Sequence, residues 1–319
     1  MPRLEKAFSA ALLLALAAIL MHSDGAARPR PARTAGPKQS KEIQHTAWGD
    51  LLRLSLRSAP FPDADRENGY QYDDTDYPAD PHYVDPSVAV LVPHGLPLSG
   101  PVNLVFFFHG WNSTIDDEEQ RFDLYRQFCQ SGVPAVLVLP ELARDAPDSY
   151  GGKLEEEGGF QRLVDELLKV LRADGQIRVA RAGTIVLAGH SGAYRVIAQI
   201  LSHGGMGSNI RDVWLFDALY DYTDQFDDWI QRTRGRFVSV SAEDGEETTE
   251  VDGLISLLRD NGVPIEVAPD DPVTDSATLR SRVLFLRSDA DHYGVVSQQD
   301  EFRRLLEASP ELARSSVGT

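Results

Sequence analysis

Cysteine is almost missing from this chain. There is one, Cys129, among 319 residues, so no disulfide can close within it. Phe122 and Tyr125 fall on the same helical face as Cys129, which reads as a buried, inert thiol. Positive charge is short as well: 31 Lys and Arg stand against 49 Asp and Glu, a formal net charge of −18. A nucleic-acid-binding surface needs a basic footprint, so that class is excluded, and adhesion to anionic lipid is disfavoured for the same reason. The apolar run Ala7–Met21 is too short for a membrane span, which takes around 20 residues.

What that run does fit is an address. Arg3 and Lys6 precede it and the small residues Gly25-Ala26-Ala27 follow, the layout of a signal peptide over residues 1–27 with cleavage after Ala27. No cysteine follows for lipid attachment, and no Arg-Arg pair precedes, so the general secretory route fits better than the twin-arginine one. The expected location is secreted or periplasmic, with no stable membrane insertion once the signal is cleaved. An uncleaved N-terminal anchor is the alternative. Residues 28–45 open with the proline-rich, basic stretch Arg28–Lys38 and are expected to be a disordered linker. Residues 46–319 are then one folded domain, since hydrophobic content of 42% supplies a sizeable core and no internal repeat or second core is visible.

Within that domain, Val88–Val92, Val102–Phe108, Ala135–Leu139, Thr184–Ala188, Val213–Phe216, Phe237–Val240 and Val283–Leu286 are short continuous apolar runs. Such runs suit strands buried on both faces of a parallel sheet. Helical patterns alternate with them. The clearest is Phe160, Leu163, Val164, Leu167, Leu168 and Leu171, which forms one apolar stripe. Others cover 116–130, 192–203, 223–233, 247–261 and 294–308. The fold class is therefore α/β: a doubly wound, mainly parallel sheet with helices on both faces. Residues 60–87, rich in Asp, Pro and Tyr, lack the order of a calcium loop and read as a solvated irregular surface.

Ligands of open α/β sheets sit beyond the carboxyl ends of the strands. One such end is Thr184–Ala188 followed by Gly189-His190-Ser191-Gly192-Ala193 and an amphipathic helix. This approximates the Gly-x-Ser-x-Gly nucleophile elbow, with Ala193 in place of the last glycine. Gly189 and Ala193 would let strand and helix approach, and Gly192 would let the chain turn. The bland reading is an ordinary strand–turn–helix corner.

With these residues the chain resembles the α/β-hydrolase superfamily, and within it secreted, bacterial-type serine esterases. The resemblance implies a triad in the chain order serine, acid, histidine. Ser191 would be the nucleophile. Of the two later histidines, His203 ends the helix that the elbow starts, which leaves His292, in the loop after the last strand, as the base. The acid is Asp217, flush with its strand end, or alternatively Asp244, after the next strand; either could instead cap a helix. Val102–Phe108 running into His109-Gly110-Trp111 resembles the strand that supplies one oxyanion donor, so the backbone N–H groups of Trp111 and Gly192 form the expected oxyanion hole. His109 would brace its loop, and His190 would face the sheet.

The implied activity is hydrolysis of carboxylic esters through an acyl-enzyme, with no cofactor and no metal. Alternatives are a serine peptidase or amidase on the same scaffold, or a non-catalytic hydrolase-like binding protein. The segment 145–159 is polar and glycine-rich, follows a strand end and should edge the pocket; no long apolar lid is visible. That favours a small-molecule or polar-polymer ester over triglyceride. Oligomeric state is not legible in the sequence.

Overall fold

The computed structural model describes residues 41–313, with residues 98, 244, 246 and 273 left aside. The expected signal peptide and most of the linker lie outside the described residues, as does Asp244. Residues 41–45, placed in the linker by the sequence, form a strand. β1 (Lys41–His45) pairs antiparallel with β2 (Gly49–Ser55), so the last five linker residues are an edge strand.

A separate hairpin follows, β3 (Tyr70–Tyr72) with β4 (Thr75–Tyr77), then a short turn α1 (Ala79–His82) and β5 (Ser87–Pro93). From there strand and helix alternate. β6 (Val102–Phe108) leads to α2 (Ile115–Phe122) and α3 (Leu124–Ser131), and β7 (Ala135–Pro140) to α4 (Gly159–Ala173). β8 (Ala182–His190) leads to α5 (Tyr194–His203), β9 (Ile210–Phe216) to α6 (Thr223–Arg232), and β10 (Arg236–Ser241) to α7 (Thr248–Asp260). β11 (Glu266–Asp270), α8 (Ser276–Leu279), β12 (Val283–Ser288), α9 (Glu301–Ala308) and α10 (Pro310–Ala313) complete the chain.

Two helices differ from their sequence patterns, for one physical reason. The pattern over 116–130 is split between α2 and α3 by Asp123 at φ 51°, and that over 294–308 by Asp300 at φ 55°. Aspartate tolerates the left-handed region better than most residues, and a single such residue ends a right-handed helix.

The ten-stranded sheet runs β1-β2-β5-β7-β6-β8-β9-β10-β12-β11. The β1–β2, β2–β5 and β5–β7 pairs are antiparallel, and every pair from β7 to β11 is parallel. Alternation along β6 builds the two cores: Leu104, Phe106 and Phe108 face one side, Val105 and Phe107 the other. Leu163 of α4, Ile197 of α5, Phe226 of α6 and Leu254 of α7 cover the first. Phe122 of α2, Phe128 of α3 and Phe302 of α9 cover the second. The chain winds outward from β6 to β7 in one direction and from β8 to β12 in the other. The crevice this reversal leaves lies beyond the ends of β6 and β8.

Residues 60–87 are largely exposed, as expected, but they are anchored by buried aromatics. Phe61 and Tyr83 pack with Ala143, Ala146 and Tyr150 in a third apolar cluster. The Arg66 guanidinium lies 4.7 Å from the Tyr70 ring and 4.5 Å from the Tyr150 ring, and Nε donates to Asp148 Oδ2 at 2.7 Å. Asp73, Asp74, Asp76 and Asp80 stay exposed, while Tyr70 and Tyr83 take part in these contacts.

Candidate active site

The turn after β8 is strained at one residue. Ser191 sits at φ 54°, in the left-handed region that a side chain rarely adopts, at the start of the short 3₁₀ turn Ser191–Ala193. The two glycines therefore serve packing more than turning. A Cβ on Gly189 would lie 2.7 Å from Ala193 Cβ and 2.8 Å from Ile197 Cδ1, so only a bare residue lets α5 lie this close to β8. Ala193 fits because Gly189 leaves it room. A Cβ on Gly192 would strike the Trp111 ring, 2.9 Å from its Nε1. The sharp corner expected of Gly192 is made by Ser191 instead.

His292 lies in the loop between β12 and the 3₁₀ turn Gly294–Val296, with its side chain about one-third exposed. Its Nδ1–H donates to Asp217 Oδ2. That leaves Nε2 as the ring nitrogen available to a neighbour in the cavity. Asp217 directly follows β9, at φ 44°, and is 1% exposed. Its amide donates to Val240 O at 2.7 Å, and its Oδ1 accepts from the Ala242 amide at 3.1 Å. Burial alone would raise the Asp217 carboxyl, but hydrogen bonds led by that from His292 outweigh it and hold the group down at about 2.

Ser191, Gly192, Asp217, His292 and Trp111 all line one cavity of about 720 Å³. The sequence-chosen set is thus brought together at the switch point of the sheet. Gly110 abuts the elbow, since a Cβ there would lie 2.7 Å from Ser191 Cβ and 3.1 Å from the Gly192 amide. Neither the Trp111 nor the Gly192 amide donates to another described residue. His203, by contrast, donates to Glu155 O at 2.6 Å, its carbonyl accepts from the Gly158 amide at the start of α4, and it does not line this cavity.

Other residues take part without an advance signal. Tyr72 of the β3–β4 hairpin lines the cavity and meets the Trp111 ring edge-on at 5.3 Å. Ser149 accepts from Trp111 Nε1–H at 2.6 Å, so the indole is clamped from both sides. The segment 145–159 therefore stands behind Trp111, with Ala146–Gly152 buried, and does not form an open rim. His190 is 1% exposed, and its Nε2–H donates to the His292 carbonyl at 2.8 Å, tying the elbow to the loop of the base. His109 accepts from the Leu142 amide at Nε2 (2.8 Å) and donates from Nδ1 to Gly110 O (2.9 Å), which braces its loop. Tyr194 and Tyr220 add aromatic wall, and Glu243, Asp289 and Asp291 form an acidic rim to which no Lys or Arg contributes among the described residues.

No family model and no curated protein matches the chain. Among solved structures it is similar to the feruloyl esterase module from Clostridium thermocellum, 11% identical over 86% of this chain and 89% of that one, with a TM-score of 0.49. It is also similar to S-formylglutathione hydrolase from Staphylococcus aureus, 12% identical over 85% and 96%, with a TM-score of 0.47. A ferulic acid esterase from the anaerobic fungus Anaeromyces mucronatus is 14% identical over 85% and 91%, with a TM-score of 0.42.

Proposed function

We propose that this chain has the fold of the α/β hydrolases and is a serine hydrolase that cleaves carboxylic esters. The observation that carries the reading is the Asp217–His292 hydrogen bond in the same cavity as a serine strained into the left-handed region. Strain is kept at a single residue where the surroundings over-determine it, and such residues cluster at working sites.

In the proposed reaction His292 Nε2 takes the proton from Ser191 Oγ as that oxygen bonds to the ester carbonyl carbon. The Trp111 and Gly192 amides receive the oxyanion. His292 then returns the proton to the departing alkoxide, leaving an acyl-enzyme and free alcohol. Water, deprotonated by the same nitrogen, attacks the acyl carbon and releases the acid with Ser191 restored. Asp217 holds the imidazole tautomer and balances its charge while protonated. The steps call for no metal and no organic cofactor. The four-aromatic, acid-rimmed cavity suits a neutral, soluble ester or an ester on a polar polymer. The layout of residues 1–27 supports export, which puts such esters outside the cell or in its envelope.

The test is labelling by a fluorophosphonate probe of the chain from residue 28, beside Ser191→Ala and His292→Ala, followed by matched ester and anilide substrates. Labelling of the wild type alone, with faster ester turnover, is the expected result. Retained labelling in Ser191→Ala sinks the assignment. Faster anilide turnover moves the reading to a peptidase or amidase. A folded protein that never labels is a binding protein.

A further inference from the structure

A second carboxyl stands beside Asp217 with no part in the steps above. Glu247 is the N-cap residue of α7, yet its side chain makes no capping hydrogen bond. It is 1% exposed, and neither carboxyl oxygen meets a donor among the described residues. An ionised carboxylate so placed would be buried with its acceptors unsatisfied, which folded proteins avoid. Gly245 fixes the arrangement. A Cβ there would collide with Glu247 Oε2 and lie 2.7 Å from Oε1 and 2.8 Å from Asp217 Oδ1. The two carboxyls therefore face each other across bare backbone. Two ionised carboxylates this close and this buried would repel, which favours a proton on one of them and a hydrogen bond from it to the other. Asp217 already accepts from His292 at Oδ2 and from Ala242 at Oδ1, so the proton belongs to Glu247.

We propose that Glu247 is a positioning residue for the Asp217–His292 pair: its protonated carboxyl donates to Asp217 Oδ1 and fixes the aspartate so that Oδ2 is aimed at the imidazole. The inference rests on the reading of Ser191, His292 and Asp217 given above. Asp217, at the end of β9, is the charged group that faces Glu247; His292 lies behind it, and Ser241 of β10 adds a hydroxyl. Burial and the Asp217 charge both push the Glu247 carboxyl up. Once it ionises at alkaline pH, a donor becomes a second negative charge against Asp217 and the alignment is lost.

The test compares the full chain with Glu247→Gln and Glu247→Leu, using p-nitrophenyl acetate as the probe ester across pH, together with the low-field proton NMR resonance of His292 Nδ1–H. Glu247→Leu should lower kcat about tenfold, the worth of one such hydrogen bond, at unchanged KM, and should shift or broaden the resonance. Glu247→Gln, neutral at every pH and still a donor, should keep both and lose the alkaline fall in activity. The proposal is overturned if the leucine variant leaves kcat and resonance intact, or if a folded glutamine variant falls as far as leucine. Should the leucine variant fail to fold, an alkaline limb in Glu247→Gln identical to the wild type overturns it alone. The resonance reports on Glu247 without turnover, so undiminished activity in Ser191→Ala would sink the triad reading separately.

Discussion

At the scale of single residues, Asp217 is where charge and geometry meet. A buried carboxyl held down at about 2 is ionised throughout the physiological range. Asp217→Asn keeps the shape, but its amide can offer Nδ1 of His292 a donor in place of an acceptor, which favours the wrong tautomer. We expect kcat to fall by about 10⁴ with Ser191 still in place, read as initial rates on p-nitrophenyl acetate. The same variant tests the linkage. The folded value lies below the unfolded one of about 3.9, so this stabilisation is full above that and drains away as pH falls towards 2. Melting temperature against pH should drop through that window in the wild type and less steeply in Asp217→Asn. The sequence left the acid open between Asp217 and Asp244, because both follow strands and both precede helical patterns. What distinguishes Asp217 is its hydrogen bond to His292, a contact across 75 residues that no local pattern encodes.

At the scale of elements, the fit of α5 against β8 depends on Gly189. Gly189→Val would drive a branched side chain into Ala193 and Ile197, and overpacking of this kind costs about 1–3 kcal/mol. Urea unfolding should register that loss, and ester turnover should fall with it because the same contact sets Ser191. Ala193→Gly relieves no clash and should leave turnover unchanged. All seven strands expected from continuous apolar runs are present, since burial on both faces writes itself into every residue of a central strand. The strands that escaped notice lie towards the margins of the sheet or off it. β1 is mostly exposed, and β11 carries Pro269 on the opposite edge, where a missing amide costs no ladder bond. β3 and β4 span three residues each, and their support is tertiary: Tyr72 reaches Trp111, and Arg66 is stacked between tyrosines. Composition foretold the exposed aspartates of that stretch, while the burial of Phe61 and Tyr83 is legible only through their partners.

At the scale of the whole molecule, a net charge of −18 is carried up to the mouth of the cavity, where Glu243, Asp289 and Asp291 stand without a Lys or Arg among the described residues of the lining. In the proposed reaction this acidic rim would supply a direction. A neutral ester approaches such a mouth without penalty, but hydrolysis turns it into a carboxylate that the same field repels. The proposed chemistry would thus create the charge that clears the site for the next turnover. Acetate should therefore inhibit hydrolysis of p-nitrophenyl acetate poorly at low ionic strength, and somewhat better once salt shortens the reach of the rim to about 10 Å at 0.1 M. Exhaustion of substrate, and not accumulation of acid, should end the progress curve.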